Sequence, residues 1–131
     1  MASICAVGCL PVSEPRIAAA ALGITVELDD LGIWQPFTLI SEYDPAARAI
    51  RVNERALEAY RRACGGLESP DVRSFIDFAV AHELYHHAEA AGTQPRWPTR
   101  NQREAAADAY ARARVPVDAR LDAFLRGAIA R

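Results

Sequence analysis

A chain of 131 residues, 51% hydrophobic and 24% charged, has the length for one core and too much apolar character for disorder. Its net charge is −2, and its 15 basic side chains are all arginines, scattered rather than set in a stripe, which argues against a nucleic-acid partner. No apolar run reaches the roughly 18–20 residues of a membrane span, and the start lacks the basic and long apolar segments of a secretory signal, so a cytoplasmic protein with no membrane partner is expected.

Residues 1–131 read as a single domain. Ser13 is suited to cap a first helix that carries Pro15 in its opening turn and runs to about Leu22, with Gly23 as its stop. Residues 24–29 alternate apolar and polar, as a half-buried strand does. Residues 37–43 read as a second strand, whose start Pro36 confines to a strand end or sheet edge, and residues 49–53 as a third after the Asp44-Pro45 turn. These three are expected to form a meander.

The pattern then becomes helical. Asn53 can cap a helix over residues 54–64 that stops at Gly65-Gly66, and Ser69-Pro70-Asp71 opens a long helix reaching Ala91 before Gly92. A loop over 93–98 is stiffened by two prolines. Thr99 and Gln102 form a capping box for a helix ending near Arg114, and Asp118 caps a last one over residues 119–130. The expected class is α+β: a helix, a three-stranded sheet, then a helical half. Cys5, Cys9 and Cys64 are an odd count with no Cys/His pair to complete a metal site, so they are read as small apolar residues rather than a disulfide framework.

The long helix carries His82-Glu83-Leu84-Tyr85-His86, the HExxH spacing. Residues four apart share a helix face, with Cβ atoms roughly 6 Å apart, so two imidazoles can converge on one metal ion. Glu83 is offset by about 100°, where its carboxylate can take a proton from water at the open position without occupying that position. Catalytic zinc normally takes a third protein ligand. Glu104 on the next helix is the expected one, with Asp108 a turn further on to receive the N–H of a ligand histidine. Glu89 and His87 compete for the third position. One helix cannot easily wrap three of its own side chains around a tetrahedral ion, so Glu89 is read as an outer partner or solvent-facing, and His87 as a surface or packing residue.

His82-Glu83-x-x-His86 followed by Glu104-Ala-x-x-Asp108 resembles the gluzincin metallopeptidases, and within them the minimal ImmA/IrrE-like proteins. The likeness extends to the strand Ile50-Arg51-Val52-Asn53, to Tyr110-Ala111 and to Pro116, and spans roughly residues 24 to 117. It implies a zincin-like fold, Zn2+ as cofactor, a peptide or protein substrate held in extended form along a sheet edge, and a regulator, if any, on a separate chain. Better-known gluzincins also carry a Tyr or His near the metal that stabilises the oxyanion. The loop between the two motif helices offers Arg96 and Arg100 instead, and Tyr43, Tyr60 or Tyr110 can reach in from elsewhere. Three readings stay open on these residues: a zinc peptidase with Glu83 as general base and then acid, a non-catalytic zinc-binding structural or regulatory module with four protein ligands, or a hydrolase of a non-peptide amide.

Overall fold

The computed structural model of the chain describes residues 14–33, 38–65 and 70–128. Within them the elements follow the order α1 (Pro15–Ala21), β1 (Thr25–Asp29), β2 (Ser41–Asp44), β3 (Ala49–Asn53), α2 (Glu54–Ala63), α3 (Pro70–Ala91), α4 (Arg100–Arg114) and α5 (Ala119–Ala128). The class is α+β, with a three-stranded mixed sheet and five helices. No helix among the described residues is long and apolar enough to cross a membrane.

The sheet is not the expected meander. β3 lies in the middle, parallel to β1 and antiparallel to β2. Burial explains the order. Ala49, Ile50, Val52 and Asn53 of β3 are buried, whereas four of the five β1 residues are exposed, so the apolar strand takes the centre and the polar one an edge. β2 is also shorter than the pattern over residues 37–43 suggested. The Asn53 amide donates to the carbonyls of Gly32 and Leu39 and its side-chain oxygen accepts from Leu31 N–H, so the chain around Leu39 is held by a side chain rather than by the ladder. Pairing starts with Asn53 N–H donating to the Ile40 carbonyl at 2.9 Å. Phe37 lies outside the described residues.

Helix ends follow local chemistry. Asn53 caps α2 by accepting from Arg55 N–H, Gly65 closes that helix at a φ of 77°, and Thr99 and Gln102 form the capping box of α4. Asp118 accepts from Leu121 N–H at the start of α5. α1 differs: Glu14 holds its N-cap position without a side-chain bond, and Ser13 lies outside the described residues, as do Cys5 and Cys9. Cys64 is buried, as a small apolar residue should be.

The 22-residue α3 is the spine of the molecule. Every residue from Phe78 to Tyr85 is buried, because α1, α4 and the sheet pack around it. A helix hydrophobic on one side only would expose some of these positions to water, so this run marks a helix enclosed by its neighbours. Beside it, Tyr60 stacks on Phe75 at 5.4 Å between ring centroids, and Phe124 of α5 closes the aromatic cluster. The result fixes His82, Glu83 and His86 on a helix that has little freedom to move.

Candidate metal centre

The four-residue spacing on α3 brings the His82 and His86 rings together with centroids 5.2 Å apart. α4 runs against α3 and presents Glu104 to both rings. Its Oε1 lies 3.3 Å from His82 Nε2, and its Oε2 lies 3.2 Å from His86 Nε2. One ligand atom from each of the three residues lies within 4.8 Å of the others, so the group can hold a metal ion. Two imidazoles and one carboxylate are a donor set able to hold a divalent metal ion.

One atom tests the fit. His82 Nε2 is buried, and it has no hydrogen-bond partner. The 3.3 Å approach of Glu104 is a contact of charges without the direction of a hydrogen bond. A buried imidazole nitrogen left this way costs free energy unless a proton or a cation occupies the space it faces. The residues present therefore fit a divalent ion.

The electrostatics agree. Burial alone would lower the pKa of His82, but the carboxylates of Glu104 and Glu83 outweigh it and raise it to about 9. His86 is also raised: burial opposes the change, and Glu104, Glu83 and Glu89 overcome it. Glu104 moves the other way. Burial would push it up, but the two imidazoles hold it far below the usual carboxylate range. Without metal the site thus favours protonated imidazole beside carboxylate, with protons standing where a cation could be held.

Glu83 sits beside this cluster and is 5% exposed. Burial would raise its pKa, yet His82 and His86 together with the Ser41 hydroxyl bring it below its ordinary value, so the carboxylate is ionised. Ser41 Oγ donates to Glu83 Oε2 at 2.8 Å from the first residue of β2. Nothing in the spacing of the sequence pointed to this serine.

Asp108 does not meet a histidine. It accepts from Arg112 Nε at 2.7 Å on the same helix, and Arg112 also donates to Asp122 of α5, so Asp108 orients the guanidinium that ties α4 to α5. Of the two ligand histidines, His86 is met by Glu89 instead, whose Oε1 lies 2.9 Å from His86 Nδ1. Glu89 is three residues along the same helix and buried, so of the two readings open to it the outer-partner one describes its place. His87 is half-buried and shares a 2.8 Å hydrogen bond with the Tyr43 hydroxyl.

A cleft of about 490 Å3 opens over the centre. Tyr43 and Pro45 form one side, Arg96, Arg100 and Arg103 the other, with Glu83 and His86 among the residues between. Tyr110 is not part of it: its ring packs against Tyr85 and lies 3.5 Å under the Arg114 guanidinium. Tyr60 is in the core. Of the residues considered for meeting an oxyanion, Arg96, Arg100 and Tyr43 therefore line the cleft and Tyr110 does not. Comparison with known proteins finds no match, whether to a family model, a curated protein or a solved structure.

Proposed function

We propose that this chain is a zinc-dependent peptide hydrolase, with His82, His86 and Glu104 as metal ligands and Glu83 as the general base. The observation that carries the reading is the convergence of three ligand atoms at a buried His82 Nε2 that has no hydrogen-bond partner, with an ionised, tethered glutamate next to them. Two His and one carboxylate suit zinc best among the common divalent ions. When bound, the ion supplies acidification of a water and polarisation of a carbonyl.

The chain's own groups supply the rest. Glu83 receives the proton of the attacking water and passes it to the leaving amine. Ser41 holds its carboxylate in one orientation, and Glu89 keeps the His86 Nδ1 proton in place so that Nε2 faces the ligand position. With His87 Nδ1 donating to it, the Tyr43 hydroxyl on the cleft wall keeps its own proton for a carbonyl oxygen that gains charge.

β2 suits an extended substrate. Because Asn53 N–H bonds to the Ile40 carbonyl and Glu42 is opposite Arg51, the backbone groups of Ser41 and Tyr43 point away from β3. Among the described residues no strand occupies that outer edge. An extended peptide can pair there, above α3, as an added strand. A purely structural metal would favour four protein ligands, and Glu89 and His87 are bonded to other groups.

The test is metal content by elemental analysis of protein purified without chelator, followed by cleavage of a peptide library. About one zinc per chain is expected in the wild type, with clear loss in Glu104→Ala. Glu83→Gln should keep the zinc and lose cleavage. Wild type that neither holds zinc nor melts at a higher temperature when zinc is added would end the metalloenzyme reading.

A further inference from the structure

The wall of the cleft formed by the α3–α4 loop and the start of α4 is made of guanidinium groups. Arg96 and Arg100 are exposed, line the cleft, and have no acidic partner among the described residues. Arg103 spends one nitrogen on the carbonyls of Trp97 and Pro98, at 3.1 and 3.3 Å, which fixes the loop and leaves its charge without an acidic partner among the described residues. The carboxylates in the same cleft are already engaged: Glu83 by Ser41, Glu89 by His86, and Glu104 by both ligand histidines. With a divalent ion in place, the positive charges around the cleft exceed its three carboxylates by two, in a chain whose overall charge is −2.

The position of these arginines also runs against helix stability. α4 begins at Arg100 and has no acidic residue in its first turn, where Arg100 and Arg103 both stand. The positive end of a helix dipole favours acids and disfavours cations. Local rules broken without local compensation are characteristic of positions that serve a ligand. The charge and the dipole act together on whatever enters this side of the cleft.

From this we infer that the cleft selects peptides bearing a carboxylate close to the bond they present to Glu83, held by Arg96 and Arg100. The inference rests on the hydrolase reading and names its substrate class. Guanidinium matches carboxylate through paired, planar hydrogen bonds, which a neutral amide cannot reproduce. A polyanion such as nucleic acid fits less well, because the arginines form one short wall and the chain as a whole is acidic. The carboxylate can belong to an acidic side chain or to the peptide's C-terminus.

The experiment uses zinc-loaded Glu83→Gln protein, in which bound peptide is not consumed, and four fluorescent octapeptides of one sequence. They carry Glu or Gln at one position and a free or amidated C-terminus. At least one carboxylate-bearing peptide should bind roughly tenfold more tightly than the Gln, amidated one at low salt. That preference should vanish in Arg96→Ala/Arg100→Ala and persist in Arg62→Ala, an exposed arginine on α2 away from the cleft. Preference that follows the side chain, or the C-terminus, identifies the source. Equal binding of all four peptides, no binding of any, or preference untouched by loss of the two arginines overturns the inference. So does a single-stranded oligonucleotide that binds this wall more tightly than every peptide. Cleavage by wild type is scored separately. Carboxylate preference without cleavage of any peptide removes the hydrolase reading alone, and cleavage without preference removes this inference alone.

Discussion

Glu89 offers a quantitative test of the metal centre that needs no substrate. Its side chain is 3% exposed, and its Oε1 accepts from His86 Nδ1 at 2.9 Å. A charge-assisted bond of this kind contributes about 1.5–3 kcal/mol. Losing the outer partner of a ligating histidine typically costs about 10–100-fold in metal affinity. Glu89→Ala removes the acceptor altogether and frees the ring to rotate, so zinc affinity should fall about a hundredfold. Glu89→Gln keeps an oxygen in reach of Nδ1 and loses only the charge; neutral bonds are roughly half as strong, so about tenfold is expected. The assay is competition with a chromophoric chelator at fixed pH, with Glu104→Ala alongside to mark the loss of a ligand and metal-free melting curves to confirm folding. Folded Glu89→Ala that binds zinc within about twofold of wild type would refute the reasoning. The hydrogen bond would then not orient the ligand, and the order Ala below Gln below wild type is what the geometry demands.

Three further outcomes follow from other parts of the molecule. Ser41→Ala should leave zinc content unchanged, lower kcat for a cleaved library peptide roughly tenfold or more with little change in KM, and be rescued in part by Ser41→Thr; wild-type kcat in Ser41→Ala would remove the serine from the reading. In metal-free protein, His82 is raised from 6.5 to about 9, so its contribution to stability is complete below pH 6.5 and is lost as pH rises through about 9. The contribution of Glu104, which is lowered, is present above its ordinary 4.5 and is lost as pH falls through its lower folded value. Urea midpoints of metal-free protein should therefore decline between pH 6.5 and 9.5 and those of zinc-loaded protein should not, and a flat metal-free profile over that range would contradict the charge cluster. Asn53→Ala should cost on the order of 3 kcal/mol in chemical denaturation, since this fully buried amide holds Leu31, Gly32, Leu39 and the start of α2; a loss under about 1 kcal/mol would show those bonds to be dispensable.

What the sequence made legible depended on how far apart in the chain the deciding groups lie. Helix ends are local. The Thr99–Gln102 box, the Asn53 cap and the Gly92 stop each need only a few neighbouring residues, and each stands where the pattern put it. The two histidines and Glu83 are fixed by helical spacing alone, so their shared neighbourhood could be read before any fold was known. Strand order could not. Whether residues 24–29 pair with 37–43 or with 49–53 depends on which strand α3 and its neighbours bury, and the parallel β1–β3 pair follows from a burial that no period-2 pattern encodes. Asp108 shows the same limit from the other side. Its spacing from Glu104 was right for a helix face, but Arg112 lies four residues further on with Asp122 of α5 beyond it, and an arginine within reach is a stronger partner than a ring already held by Glu89. Ser41 is the clearest case. It is separated from Glu83 by 42 positions, and a serine at the start of a short strand carries no signal of its own. A sequence search for it would need the edge strand to be placed over α3 first. Once β2 is seen to lie there, the serine and the tyrosine two residues on must share the face towards the helix, because side chains alternate along a strand. Both then find partners on α3, Glu83 and His87, one turn apart. The strand is thus held by its side chains against α3 while no strand among the described residues pairs with its outer backbone edge, which is the arrangement the proposed extended substrate requires.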